Sequence, residues 1–155
     1  MPSHEIIDVQ QFMEKFNIDQ PFPTKPTVLP GHPICRRINH IEEEMEELRQ
    51  AVVAQDLPAI ADALVDLVYV IKGTALAMQL PWDMLWADVQ RANMTKEYDP
   101  TAAKIAVKPK DWQGPQTQLI LELMGWRPDD LKRSVVATAT KGVQLELAPR
   151  TPVQP

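Results

Sequence analysis

Cysteine is all but missing: Cys35 stands alone among 155 residues. One thiol supports neither a disulfide framework nor a zinc-finger spacing, and its isolation suits a reducing, cytoplasmic setting. A surplus of positive charge is missing too. The formal net charge is -5, whereas a module that tracks a nucleic-acid polymer normally presents a basic face. Acidity leaves small phosphate ligands open, because a bound metal ion reverses the local sign. The first twenty residues mix charged and apolar side chains and hold no hydrophobic core segment of the secretory kind. The nearest approach to a membrane span, Ala63 to Leu80, contains Asp66 and Lys72, each costing roughly 2.5–3.5 kcal/mol near a bilayer centre. It reads as a buried helix, with no membrane partner expected. Repeats, low-complexity blocks, hairpin dipeptides and clean strand alternation are absent as well.

What is present is a globular composition, 45% apolar and 24% charged, in a chain of one-domain length. Fifteen prolines are placed unevenly. Pro21, Pro23, Pro26, Pro30 and Pro33 crowd one stretch, while only Pro58 and Pro81 fall between Ile34 and Asp99. Proline is tolerated in a first helical turn and damaging inside a helix, so Pro58 and Pro81 mark helix starts. Ile6, Val9, Phe12, Met13 and Phe16 give His4 to Phe16 one apolar face, with Ser3 as N-cap. Ile34, Ile38, Ile41, Met45, Leu48 and Val52 form a packing stripe over Ile34 to Ala54. Pro58 to about Met78 is apolar almost all round, and Pro81 to about Asn93 carries Trp82, Leu85, Trp86 and Val89. Residues 94–115 read as loop and Thr117 to Met124 as a short amphipathic helix. The fold class is all-α, a bundle of four to five helices that oligomerises through its central helices. A domain over residues 1–116, a helical extension over 117–146 and a tail over 147–155 complete the expected organisation.

Five of the six residues from Glu42 to Glu47 are glutamates. Like charges three or four apart on a helix repel by a few tenths of a kcal/mol per pair. A solvated face is the plain explanation. At 3.6 residues per turn, however, Glu43, Glu44 and Glu47 share an arc of about 100°, with Glu42 and Glu46 on the other flank. Carboxylates on one arc can converge on hard divalent cations such as magnesium or manganese. Asp66 sits in the run Ala63-Leu64-Val65-Asp66-Leu67-Val68-Tyr69, where the sequence leaves it no exposed face. A carboxylate buried there must be paired or must hold a metal. Asp62 lies one turn earlier and faces the same way.

These residues resemble the motifs of the all-α nucleotide pyrophosphohydrolases, the MazG-like proteins, dimeric dUTPases and phosphoribosyl-ATP pyrophosphohydrolases. Glu43-Glu44-Met45-Glu46-Glu47 matches the EExxE motif with Leu48 following, and the register from Glu42 also fits the letters. Asp66-Leu67-Val68-Tyr69 matches the second half of ExxD, but Ala63 stands where the family has glutamate, with Asp62 beside it. Arg91 to Lys96 and Lys108 to Pro115 resemble the segments that follow, so the likeness covers about residues 5–116.

The resemblance implies hydrolysis of a nucleoside triphosphate to the monophosphate and pyrophosphate. It implies Glu44, Glu47, Asp62 and Asp66 as ligands of Mg2+, for which Mn2+ substitutes. Glu43 completes the set or acts as general base. Asn93 and Lys96 contact phosphate, with Arg91 and Lys108 as further candidates. Phe12, Phe16, His40 and Trp112 are candidates for the base, with His32 and Asn39 as polar neighbours. The family covers dUTP, dCTP and dGTP, and dGTP is placed slightly ahead. Members are commonly homodimers or homotetramers. A di-iron bundle is excluded, since it needs Glu-x-x-His pairs and Met1, Leu29 and Arg37 stand three before the histidines. A non-enzymatic helical interaction protein is the remaining alternative.

Overall fold

The computed structural model describes residues 2–130. Five helices follow in order: α1 (His4–Lys15), α2 (Gly31–Ala54), α3 (Leu57–Ala77), α4 (Trp82–Met94) and α5 (Thr117–Leu123). Between α4 and α5, the two-residue strands β1 (Glu97–Tyr98) and β2 (Ala106–Val107) pair antiparallel. That small ribbon lies in the stretch read as loop, where two-residue pairings leave no periodicity to detect. The all-α expectation stands. The expected extension and tail beyond residue 130 lie outside the described residues.

Proline placement fixes two of the helix starts as expected. Pro58 occupies the first turn of α3, and Pro81 caps α4. The second helix begins three residues earlier than its apolar stripe, because Pro33 fits within its first turn. Ser3 holds the N-cap position of α1, yet its side chain makes no cap bond; its backbone N–H instead donates to Asp83 at 2.9 Å.

Only Gln55 and Asp56 separate α2 from α3. Gln55 takes the left-handed conformation (φ 55°), and the Asp56 side chain accepts from the Ala59 N–H at 3.1 Å. This reversal lays α2 and α3 antiparallel as the principal pair of the fold. The first helix packs on α3 through Ile6, Val9 and Met13, which form the core with Leu76 and Ala77. The fourth helix touches the end of α3 and packs against α5, making no contact with α2.

One expectation about α3 is corrected. The helix is not enclosed: Leu64, Val65 and Val68 are exposed, and so are Asp62 and Asp66. Helices α1 and α2 cover one side of this 21-residue helix, and α4 reaches only its far end. The exposed apolar face continues onto α4, where Trp86 is 65% exposed. Among the described residues no helix is long and apolar enough to cross a membrane.

Candidate active site

The antiparallel hairpin decides which acids meet. On α2, Glu44 is largely enclosed, with its side chain 14% exposed. Burial pushes its carboxyl pKa up, and the charges of Glu47, Asp66 and Glu43 push it further, while His40 opposes them. The charge of Asp66, on α3, thus reaches Glu44 across the α2–α3 interface. His40 lies one turn before Glu44, with Nε2 3.5 Å from its Oε1. Glu46 turns the other way and engages Arg49 at 3.4 Å and Gln50 at 3.2 Å. The two flanks of the glutamate run are thus distinct in the folded chain.

Beside the acids, α1, α2 and α3 enclose a cavity of about 680 Å³. Phe12, His32, Asn39, His40 and Glu43 line it, all singled out from the sequence. Phe12 meets Tyr69 of α3 edge-on, with ring centroids 5.6 Å apart, and Tyr69 is a lining residue as well. Phe16 packs on Phe12 at 4.9 Å but is not part of the wall. Arg37, Met13 and Cys35 also line the cavity and were not anticipated. A detectable signal existed for Arg37, which stands one turn before His40 on the same helical face.

The remaining candidates gather elsewhere, at the end of α4. The Trp112 indole N–H donates to the Ala92 carbonyl at 2.8 Å, which fixes the ring. Lys108 and Lys96 both lie over that ring, with Nζ 4.5 and 5.8 Å from its centroid. Trp112 is therefore a platform for two cations and lies outside the cavity. Arg91 is engaged by Asp88 at 2.7 Å and by the Gly114 carbonyl at 3.1 Å. Asn93 is exposed beside them. These groups gather away from the cavity, and α4 makes no contact with α2.

The donor set suits a hard cation: Glu44, Glu47, Asp62 and Asp66 offer only carboxylate oxygens. A cation held there would offset both the burial and the neighbouring negative charges that raise the Glu44 pKa. Among the described residues, the side chains do not close into a group of three or more around one point.

Comparison with known proteins adds a family. A family model described as phosphoribosyl-ATP pyrophosphohydrolase matches residues 8–93, which takes in α2, α3, the cavity and most of α4. No curated protein matches the chain.

Proposed function

From the premise that this chain belongs to the phosphoribosyl-ATP pyrophosphohydrolase family, within the MazG-like all-α pyrophosphohydrolases, we propose that it hydrolyses a (deoxy)nucleoside triphosphate. The products are the monophosphate and pyrophosphate, and a deoxynucleotide such as dGTP is the preferred substrate. One observation carries the reading. Glu44, largely enclosed and under the charges of Glu47 and Asp66, adjoins Glu43, which lines a cavity together with Phe12 and Tyr69.

Glu44, Glu47, Asp62 and Asp66 would hold Mg2+ or Mn2+. A bound cation supplies charge neutralisation on the phosphates and a more acidic attacking water. The chain's own groups do the rest. Glu43 lines the cavity and would orient that water or accept its proton. Phe12 and Tyr69 present apolar ring surface to a base. Lys96 and Lys108, held over Trp112, offer positive charge to the triphosphate tail, and Asn93 a hydrogen-bonding amide. Arg91, already engaged by Asp88 and Gly114, braces the loop that carries Trp112.

The assembly is a homodimer or homotetramer in a reducing cytoplasm. The exposed face of Leu64, Val65, Val68 and Trp86 is the surface a second copy covers. Because α4 stays clear of α2 within one chain, Lys96 and Lys108 serve the acids of that second copy.

The deciding experiment measures pyrophosphate release from a panel of ribo- and deoxynucleoside triphosphates and phosphoribosyl-ATP, with Mg2+ or Mn2+ and a chelator control. Metal-dependent release from a nucleoside triphosphate is expected. Release from phosphoribosyl-ATP alone reassigns the substrate. No release from any member of the panel leaves the non-enzymatic alternative.

A further inference from the structure

The cavity wall holds one buried cation that the reading above does not use. Arg37 is 6% exposed. Its Nε and Nη2 both approach Asp19 Oδ2, at 2.7 and 2.6 Å, and Nη2 lies 3.8 Å from Met13 Sδ. Arg36 holds the other Asp19 oxygen. The guanidinium plane is therefore fixed by partners on one side. Nη1 has no hydrogen bond among the described residues. It lies against α3 at Gly73, where an added Cβ would come within 3.2 Å of it. Arg37 and Gly73 both line the cavity.

The spacing along the hairpin gives the cavity a direction. Arg37 precedes Glu44 by two helical turns, about 10.5 Å at 1.5 Å per residue. On α3, Gly73 and Asp66 are offset by the same number of residues in the opposite sense. The guanidinium thus lies at one end of the cavity and Glu43 toward the other, next to Glu44, with His40 on the wall between. That separation suits a nucleoside whose phosphate lies at the acids and whose base reaches Arg37.

We propose that Arg37 Nη1 reads the exocyclic carbonyl of a keto base, O6 of a guanine-type purine or O4 of a uracil-type pyrimidine, and so selects keto-base nucleotides over amino-base ones. The inference rests on the nucleotide reading above and narrows its substrate class. Its chemical basis is that arginine donates and never accepts. An adenine or cytosine amino group at the same place is also a donor, which leaves two buried N–H groups facing each other unpaired. Asn39, His32 and His40 cannot impose that choice, because an amide that flips or a histidine that changes tautomer offers either a donor or an acceptor.

Two matched pairs test it, dITP against dATP and dUTP against dCTP, since each differs mainly in a carbonyl or an amino group at the position concerned. In whichever pair is turned over faster, the keto member should be preferred by about tenfold or more in kcat/KM. Equal or reversed preference overturns the proposal. Arg37→Gln, which can accept as well as donate, should bring the ratio close to one. Gly73→Ala, which crowds Nη1 without removing the ion pair, should reduce the ratio and serves if Arg37→Gln does not fold. A ratio unchanged in every folded variant removes Arg37 from the role. If no nucleotide is hydrolysed, the pyrophosphohydrolase reading fails instead. Calorimetric binding of dIMP against dAMP to the wild-type chain then decides the keto preference, with equal affinity overturning it.

Discussion

The Arg37 guanidinium and the Asp19 carboxylate form a buried pair 2.6 Å apart that fastens the loop after α1 to the wall of the cavity. Both side chains are nearly closed to solvent, at 8% and 6% exposure. Removing one member leaves a buried charge uncompensated, which costs about 3–5 kcal/mol. Asp19→Ala is expected to lose stability on that scale in urea denaturation. Asp19→Asn should lose less, because asparagine tolerates the positive φ of 51° at this position and keeps one acceptor.

Glu44→Ala and Asp66→Asn should each reduce turnover by at least about a hundredfold while the helical circular-dichroism signal persists. Mg2+ should raise the melting temperature of the wild-type chain. A cation present at 100 times its Kd contributes about 2.7 kcal/mol, and Glu44→Ala should lose most of that gain. Near-normal turnover in either variant would take that residue out of the site.

Lys96→Ala and Lys108→Ala should raise KM several-fold, more at low than at high ionic strength, because the lost interaction is with phosphate charge. At substrate well below the wild-type KM, mixing Glu44→Ala protein with Lys96→Ala protein and allowing subunit exchange should raise the rate above that of the unexchanged mixture, to about a quarter of wild type or slightly more, since half the dimers then carry one intact site of two. A rate unchanged by exchange would mean that each chain serves its own acids.

Val65→Glu places a charge in the middle of the exposed apolar face, where the native side chain is 65% exposed. A self-associated wild-type chain should become a monomer by light scattering, with activity falling alongside. A wild-type chain that is already monomeric at assay concentration refutes the assembly proposed for that face.

Acid should loosen α5 before it unfolds the hairpin. Asp88 has its carboxyl pKa held below the usual 3.8 by the Gln116 backbone N–H and then by Arg91. A lowered folded-state value means that the unfolded chain binds the proton more readily. The stabilisation is complete above about pH 3.8 and is lost as pH falls through the lower folded value. Hydrogen exchange at α5 amides should accelerate across that range, and Asp88→Asn should show the faster exchange already at neutral pH.

Much of this architecture was legible in the sequence because it rests on short-range rules. Pro58 and Pro81 announce helix starts, the 3.6-residue stripe predicts α2, and the same period separates Glu44 and Glu47 from Glu46. The antiparallel pairing of α2 and α3, which brings the charge of Asp66 to bear on Glu44, fits the two-residue link before Pro58. The exposure of Asp66 did not follow. An all-round apolar run looks the same whether its cover comes from its own chain or from another. The Asp19–Arg37 pair escaped for a related reason: it joins a loop residue of positive φ to a helix, and no local pattern marks such a contact. Trp112 was misleading because an aromatic near a phosphate-like segment reads as a stacking surface for a base, whereas its ring is taken up by two lysines.

The two-residue link at Gln55 and Asp56 has a consequence for the growing chain. Contacts between partners close in sequence need little loop closure, so they form early. The hairpin can pair its acids as soon as α3 is complete, before α4 and its lysines have been synthesised. On the function proposed above, a newly made chain would thus have its acids side by side before it has a grip on a triphosphate, and hydrolytic competence would arrive with assembly of two chains instead of with folding of one.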